Sequence, residues 1–475
     1  MSPERSKRLL EGPIVSSLLV LAIPIVLGNL LQTAYQLTDA FWVGRLGGEA
    51  VAAVSVVFPV SFLAMALGMG FSIAASSLVA QYAGAKRFAE VTHAASQAML
   101  IAMVMGGTIG LVGFILAPHI ITLMRIEPAV HDAALGFMRL TFAGILFTFV
   151  FITFQSLLRG VGEVVRPMYI VLASVLINVV IDPLFIFGWG PMPALGVEGA
   201  ALATFVTQGM SALIGLYLLA RGSYGVRVTW QHLKPDKVFL KRIITLGIPT
   251  SLEQTTRALG MMAMVFLVTG FGTAAVAAFG VGSNVLMVVI IPALGLSMAV
   301  AALVGQNIGA GQMDRAKEIV RLGAIVAFSI LAVVSVLTIL FDSYIVRFFI
   351  TGDAVETTTL AMAQIKIMAL SFGLIGVQMA FFGVFRAVGA PGAALALTAF
   401  GQLLQFPLAY SLAHFTSLGL AGIWWSMPIT NIVTAAVALW WYRRGSWQSR
   451  KLTSIEQQQE RATEEILTEE GMRSV

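Results

Sequence analysis

LAIPIVLGNLLQTAYQLTDAFWVGRLG, residues 21–47, carries both decisions that this chain demands. Joined to the apolar residues before it, the stretch forms a run from 14 to 44, longer than the roughly 20 residues a helix needs to cross a bilayer. The same run holds an acid, Asp39, on a stripe with Asn29, Gln32 and Gln36 at spacings of 3, 4 and 3, with Tyr35 four residues before the acid. Such spacings keep side chains on one helical face. A charge at membrane depth costs about 3 kcal/mol or more, so that face turns to protein or water, and an acid there usually marks an ion or proton site.

Composition places the whole chain in the same solvent. Over 475 residues, 58% are hydrophobic, 11% are charged and the mean hydropathy is +0.90, which no soluble core with a solvated surface displays. Cysteine is absent, which removes disulfides, thiolate metal sites and thiol nucleophiles. Twelve apolar spans are predicted, at 14–44, 50–83, 94–118, 133–158, 167–189, 196–220, 243–271, 275–308, 319–345, 358–385, 391–414 and 419–442. The expected fold is an all-α membrane protein. The segment MSPERSKRLLEGP precedes a run too long and too polar in its later part for a cleaved signal peptide, so it is expected to remain.

Lys and Arg alternate between loops. Twenty-three lie at the two termini and in every second loop, against three, Arg45, Arg125 and Arg347, in the others. Positive charge is retained in the cytoplasm during insertion, so both termini are expected there, in a plasma membrane (the inner membrane of a prokaryote). The basic residues therefore read as topology signals rather than as a nucleic-acid surface. The basic stretch 221–242 divides the chain into a cytoplasmic N-terminus at 1–13, an N-lobe at 14–220, a C-lobe at 243–443 and a tail at 444–475, solvated as a helix or disordered.

Sliding the chain by 225 positions lays Leu21-Ala-Ile-Pro24 on Leu246-Gly-Ile-Pro249, Ala50-Val-Ala-Ala53 on Ala275-Val-Ala-Ala278, and Gln81, Gly84 and Ala85 on Gln306, Gly309 and Ala310. After a two-residue shift, Arg159-Gly-Val-Gly162 falls on Arg386-Ala-Val-Gly389. Six spans per half make these parallel repeats, which implies two pseudo-symmetric six-helix lobes around a central cavity. The acids break the symmetry. Asp39 maps to Met264, Asn178 to Gln405 and Asp182 to Ala409.

Asn178 and Asp182 lie one turn apart in span 5, and Thr204 in span 6 adds a hydroxyl. Two carboxylates, an amide oxygen and a hydroxyl are hard donors suited to Na+, and the same acids withdrawn from water are suited to exchanging H+. A purely structural polar network between helices is the competing reading. Glu253 stands one turn from Arg257, so it is either an ion-paired structural acid or a second coupling site. Pro24 and its equivalent Pro249 favour bends. Among the motifs that are missing, no H-E-x-x-H run and no G-x-x-x-x-G-K-[ST] run occurs, so neither a metalloprotease nor a nucleotide-driven pump is expected.

The chain resembles the multidrug and toxic compound extrusion (MATE) family, and its DinF-like prokaryotic branch most closely. The likeness covers about residues 10–445 and rests on LAIPIVLGN at 21–29, TDAFWVGRLG at 38–47, NVVIDPLFIFG at 178–188, GVEGAALAT at 196–204, and VAQYAGA and VGQNIGA at 79–85 and 304–310. It implies twelve helices in two lobes and export of small amphipathic or cationic compounds in exchange for H+ or Na+. It also implies a first-lobe cation site at Asp39, Asn178, Asp182 and Thr204, and bending at Pro24. A second branch of the family pairs a span 7 glutamate, which Glu253 resembles, with a span 10 aspartate. This chain has Gln378 in that neighbourhood and no acid.

The expected protein is thus a cation-coupled multidrug antiporter working by alternating access. It is not an enzyme, needs no cofactor beyond the coupling ion, and acts as a monomer in the lipid bilayer. Gln32, Tyr35, Gln36, Glu253 and Gln378 are candidates for the substrate cavity or its network. The alternatives are a flippase for lipid-linked precursors, which would need a strongly cationic cavity, and a receptor or channel without transport.

Overall fold

In the computed structural model, residues 3–189, 193–350, 354–445, 447, 448 and 452 are described. After a short surface helix, α1 (Pro3–Glu11), six long helices follow: α2 (Ile14–Gly44), α3 (Gly48–Gly84), α4 (Phe88–Leu123), α5 (Pro128–Gly160), α6 (Val165–Phe187) and α7 (Val197–Arg221). The second half repeats them as α8 (Lys237–Thr269), α9 (Thr273–Gly309), α10 (Met313–Leu340), the short α11 (Asp342–Phe349), α12 (Val355–Ala369), α13 (Phe372–Ala387), α14 (Pro391–His414) and α15 (Leu420–Arg443).

Ten of these helices are long and apolar enough to span a membrane, and α12 with α13 forms an eleventh span bent by 50°. The helix α8 occupies the remaining place. Its 33 residues suffice, but Glu253, Gln254 and Arg257 make its middle polar, which is why it packs between lobes rather than meeting lipid all round.

Two expected spans differ in detail. The run 319–345 ends as a helix at Leu340 and restarts as α11, and the run 358–385 breaks at Leu370 and Ser371. Side chains supply the hydrogen bonds that the break removes: Ser335 Oγ donates to the Ala369 carbonyl at 2.6 Å, Ser371 Oγ to that of Met368 at 2.9 Å, and Asn431 Nδ2 to Ser371 Oγ at 3.0 Å. A helix interrupted inside a membrane requires such replacements, and apolar run length does not reveal them.

The central helices α3 and α9 pack on their own lobes and on each other. Hydrogen bonds join the lobes at the end of the molecule that carries α1, the basic face. Two of them are repeat equivalents: Gln81 Nε2 donates to the Ala387 carbonyl at 2.7 Å, and Gln306 Nε2 to the Gly160 carbonyl at 2.8 Å. Each lobe thus reaches into the Arg-x-Val-Gly turn of the other. A Cβ on Gly84 would overlap the Gln306 carbonyl, and one on Gly309 that of Gln81, so glycine is what lets the helices close.

Two residues of the tail, Trp447 and Leu452, pack against the body of the protein. Trp447 is buried and donates to the Tyr442 carbonyl at 3.1 Å, and the Leu452 amide donates to Gln81 Oε1 at 2.8 Å, below the seam. Residues 453–475 lie outside the described residues.

Ala80 Cβ lies 3.0 Å from where a Cβ on Gly305 would stand, near disulfide spacing, and the chain supplies no competing thiol. The double variant Ala80→Cys, Gly305→Cys is expected to cross-link the lobes under oxidation, read as a gel-mobility shift. Adding Gly84→Val, which forces the helices apart at an overpacking cost of about 1–3 kcal/mol, is expected to lower the cross-linking yield.

Candidate functional site

The N-lobe site is assembled by α2, α6 and α7. Gly199 lets the start of α7 lie directly against the carbonyl end of α6, where a Cβ would strike the Phe185 carbonyl, and the turn between them is held by Leu195 and Gly196 amides bonding to Phe185 and Ile186. That close approach sets Thr204 opposite Asp39. Thr204 Oγ1 donates to Asp39 Oδ2 at 3.1 Å, and Asn178 Nδ2 donates to Asp182 Oδ1 at 2.9 Å. The two carboxyl groups adjoin, within hydrogen-bonding reach of each other when one carries a proton. Tyr35, 3% exposed, backs the cluster through a 2.5 Å bond between its hydroxyl and that of Thr207.

The donors in this cluster are spent on fixing geometry, and the acceptors are left over. Asp39 Oδ1, Asn178 Oδ1 and Asp182 Oδ2 are buried without a hydrogen-bond partner in the protein. Three oxygens of this kind, two of them from carboxylates that would repel if both were charged, fit a proton or a small hard cation between them. No group of three or more His, Cys, Asp and Glu side chains that could hold a metal occurs among the described residues, so a divalent or transition-metal site of that type is not part of the arrangement.

Of the residues singled out in the sequence, Asp39, Asn178, Asp182, Thr204 and Tyr35 come together. Gln32 and Gln36 do not. They follow the same helix but make no side-chain hydrogen bond to the cluster, and Gln36 is exposed one step round from buried Tyr35. Thr207 was missed, although it stands one turn after Thr204. Pro24 lies within α2, which continues through it from Ile14 to Gly44.

The C-lobe has no matching cluster. Met264 and Ala409, the equivalents of Asp39 and Asp182, are buried in one apolar cluster with Val268, Phe279 and Trp424. Glu253 is fully buried, but both of its oxygens are committed: Oε1 pairs with Arg386 at 2.5 Å and Arg257 at 3.0 Å, and Oε2 with Arg386 Nε at 3.2 Å. The ion-paired reading of Glu253 is the one its geometry displays. Gln378 sits elsewhere, donating to the Asn431 carbonyl at 2.7 Å and tying α13 to α15.

Fold and site together define a multi-pass helical membrane protein with two repeated lobes, one of which holds an unsatisfied acid pair. The profile of the MatE family matches residues 24–184 and 249–411, one stretch in each lobe, and the chain belongs to that family. It is a transporter and not an enzyme. The chain is similar to the probable multidrug resistance protein YoeA of Bacillus subtilis, 29% identical over 444 residues that cover 92% of this chain and 95% of the relative. It superposes on a MOP superfamily transporter from Pyrococcus furiosus with a TM-score of 0.87 at 27% identity, covering 94% of this chain and 98% of the other. It also matches a MATE protein solved in a bent conformation, with a TM-score of 0.86 at 27% identity over 92% and 97% of the two chains.

The two kinds of buried acid predict opposite responses. Glu253→Gln leaves Arg386 and Arg257 without their shared counter-charge and is expected to destabilise by about 3–5 kcal/mol, read as a lowered melting temperature in detergent. Asp39→Asn removes a repulsion and is expected not to lower it.

Proposed function

We propose that this protein is a multidrug exporter in which a coupling cation, H+ or Na+, binds at Asp39, Asn178, Asp182 and Thr204 of the N-lobe. The observation that carries this reading is the set of three buried, unpartnered acceptor oxygens on the two adjoining acids and Asn178. An acid cluster serving only as helix-to-helix glue would have its acceptors satisfied. Relatives named as multidrug resistance proteins support export of drug-like compounds as the task, and we infer that these are amphipathic or cationic.

In this reading the protein is a monomer in the prokaryotic inner membrane, with its termini and the basic face in the cytoplasm. The lobes are 14–220 and 243–443, joined by 221–242. The seam at Gln81 and Gln306 then closes the cytoplasmic side, and the acid pair exchanges its cation with the outside. The cation enters from outside, neutralises the acid pair and favours release of the compound. Binding of the next compound from the cytoplasm favours cation release inward. Each ligand acts only through its different affinity for the two states, and the coupling is reciprocal. Bending of α2 at Pro24 would pass the change at Asp39 to the seam, since Val26 packs directly on Gly295 of α9.

Ethidium efflux from proteoliposomes is expected under an imposed Na+ gradient or pH gradient, whichever matches the coupling ion. In Asp39→Asn, gradient-driven efflux is expected to fall to the level of empty vesicles with reconstitution unchanged. Full gradient-driven efflux by that variant contradicts the site. Thr204→Ala removes one hydrogen bond to the acid, worth about 1.5–3 kcal/mol, and is expected to weaken the dependence on the ion by about tenfold or more rather than abolish transport.

A further inference from the structure

We propose that Arg159 and Arg386 form an oxyanion-binding pair on the lobe axis, which receives exported compounds carrying a carboxylate, sulfonate or phosphate when the seam is open to the basic face. This rests on the exporter reading above and adds a substrate class to it.

The two arginines are repeat equivalents, from Arg159-Gly-Val-Gly162 and Arg386-Ala-Val-Gly389. Both line one small cavity between α3 and α9, with Ser76, Ser77, Ser297 and Met298. The turns that carry them are the ones gripped by Gln306 and Gln81, so the pair belongs to the seam itself. The Arg159 guanidinium makes its one hydrogen bond to the Met298 sulfur at 3.0 Å, a weak acceptor, and has no carboxylate partner among the described residues. Arg386 is held by Glu253, which it shares with Arg257. Arg386 and Arg257 therefore share one carboxylate, while Arg159, on the same cavity as Arg386, has none among the described residues in a water-poor interior. A guanidinium kept there without a counter-charge is costly, and its planar fork of donors matches an oxyanion.

Size supplies the second half of the argument. With the seam closed, the cavity has room for about one or two water molecules, too little for an organic anion. Its walls are the two helices that must separate when access alternates. Opening the seam turns the paired arginines into the floor of the basic-face cleft, and closing it expels the anion while Glu253 remains on Arg386. High affinity in one state and low affinity in the other is the condition an exporter must meet.

The test compares fluorescein, an anionic dye, with ethidium, a cationic one, in proteoliposomes carrying wild type, Arg159→Gln or Arg159→Lys. The fluorescein-to-ethidium transport ratio is expected to fall at least about tenfold in Arg159→Gln, the loss of a charge-assisted hydrogen bond, and to recover in part with Lys. An unchanged ratio overturns the pair and leaves the exporter reading intact. If wild type moves neither dye, the exporter reading fails, and fluorescein anisotropy with the purified protein decides the pair by itself. Binding weakened at least about tenfold by Arg159→Gln supports it, and equal or absent binding overturns it. Displacement of fluorescein by inorganic phosphate identifies a free oxyanion as ligand. Displacement by phosphatidylglycerol vesicles and not phosphatidylcholine vesicles identifies a lipid headgroup, and displacement by both vesicles alike overturns the pair.

Discussion

Two carboxyl groups in contact inside a membrane protein impose the constraint around which the N-lobe is arranged. No arginine or lysine pairs with either of them among the described residues. Asp39 receives a hydroxyl from Thr204, Asp182 an amide from Asn178, and three acceptor oxygens remain. The surrounding structure serves to keep that arrangement. Gly199 brings α7 against α6, and Tyr35 and Thr207 close the cluster from behind. Under the proposed function, this incompletely satisfied acid pair is where a proton or small cation acts on the lobe.

The C-lobe solves the same packing problem without that instability. Its equivalents of the two acids are Met264 and Ala409, buried among apolar side chains, and its own acid is neutralised twice over by Arg386 and Arg257. The repeat thus conserves the frame and divides the chemistry. Where the lobes meet, symmetry returns: Gln81 and Gln306 each cross to the other lobe, and Gly84 and Gly309 give them the room. The joint is made of hydrogen bonds and close backbone contact at one end of α3 and α9. It is a seam of the kind that can part as a unit, because interfaces of packed helices have discrete arrangements rather than continuous ones.

Much of this was legible in the sequence because membranes limit the choices. Apolar run length and loop charge gave span number and register, and the offset of 225 residues revealed the lobes. The acids stood out because any charge in such a run does. What could not be read were contacts between distant positions: that the Tyr35 hydroxyl meets Thr207, or that Gln81 meets Ala387. The break at Leu370 and Ser371 was hidden for a related reason, since the side chains that allow it, Ser335 and Asn431, come from other helices. The arginine cluster was marked only halfway: the repeat paired Arg159 with Arg386, but nothing in either motif placed both on one cavity or gave Arg386, alone of the two, the Glu253 carboxylate.

The central claim is that one cation and the exported compound exclude each other through the acid pair. It is tested most directly by following proton release, and release of bound radioactive Na+, from purified protein in weak buffer as ethidium is added. The account predicts release of one of the two ions by wild type and none by Asp182→Asn, with ethidium still bound by both. Equal release by the variant, or ethidium binding to wild type with no release of either ion, would contradict it.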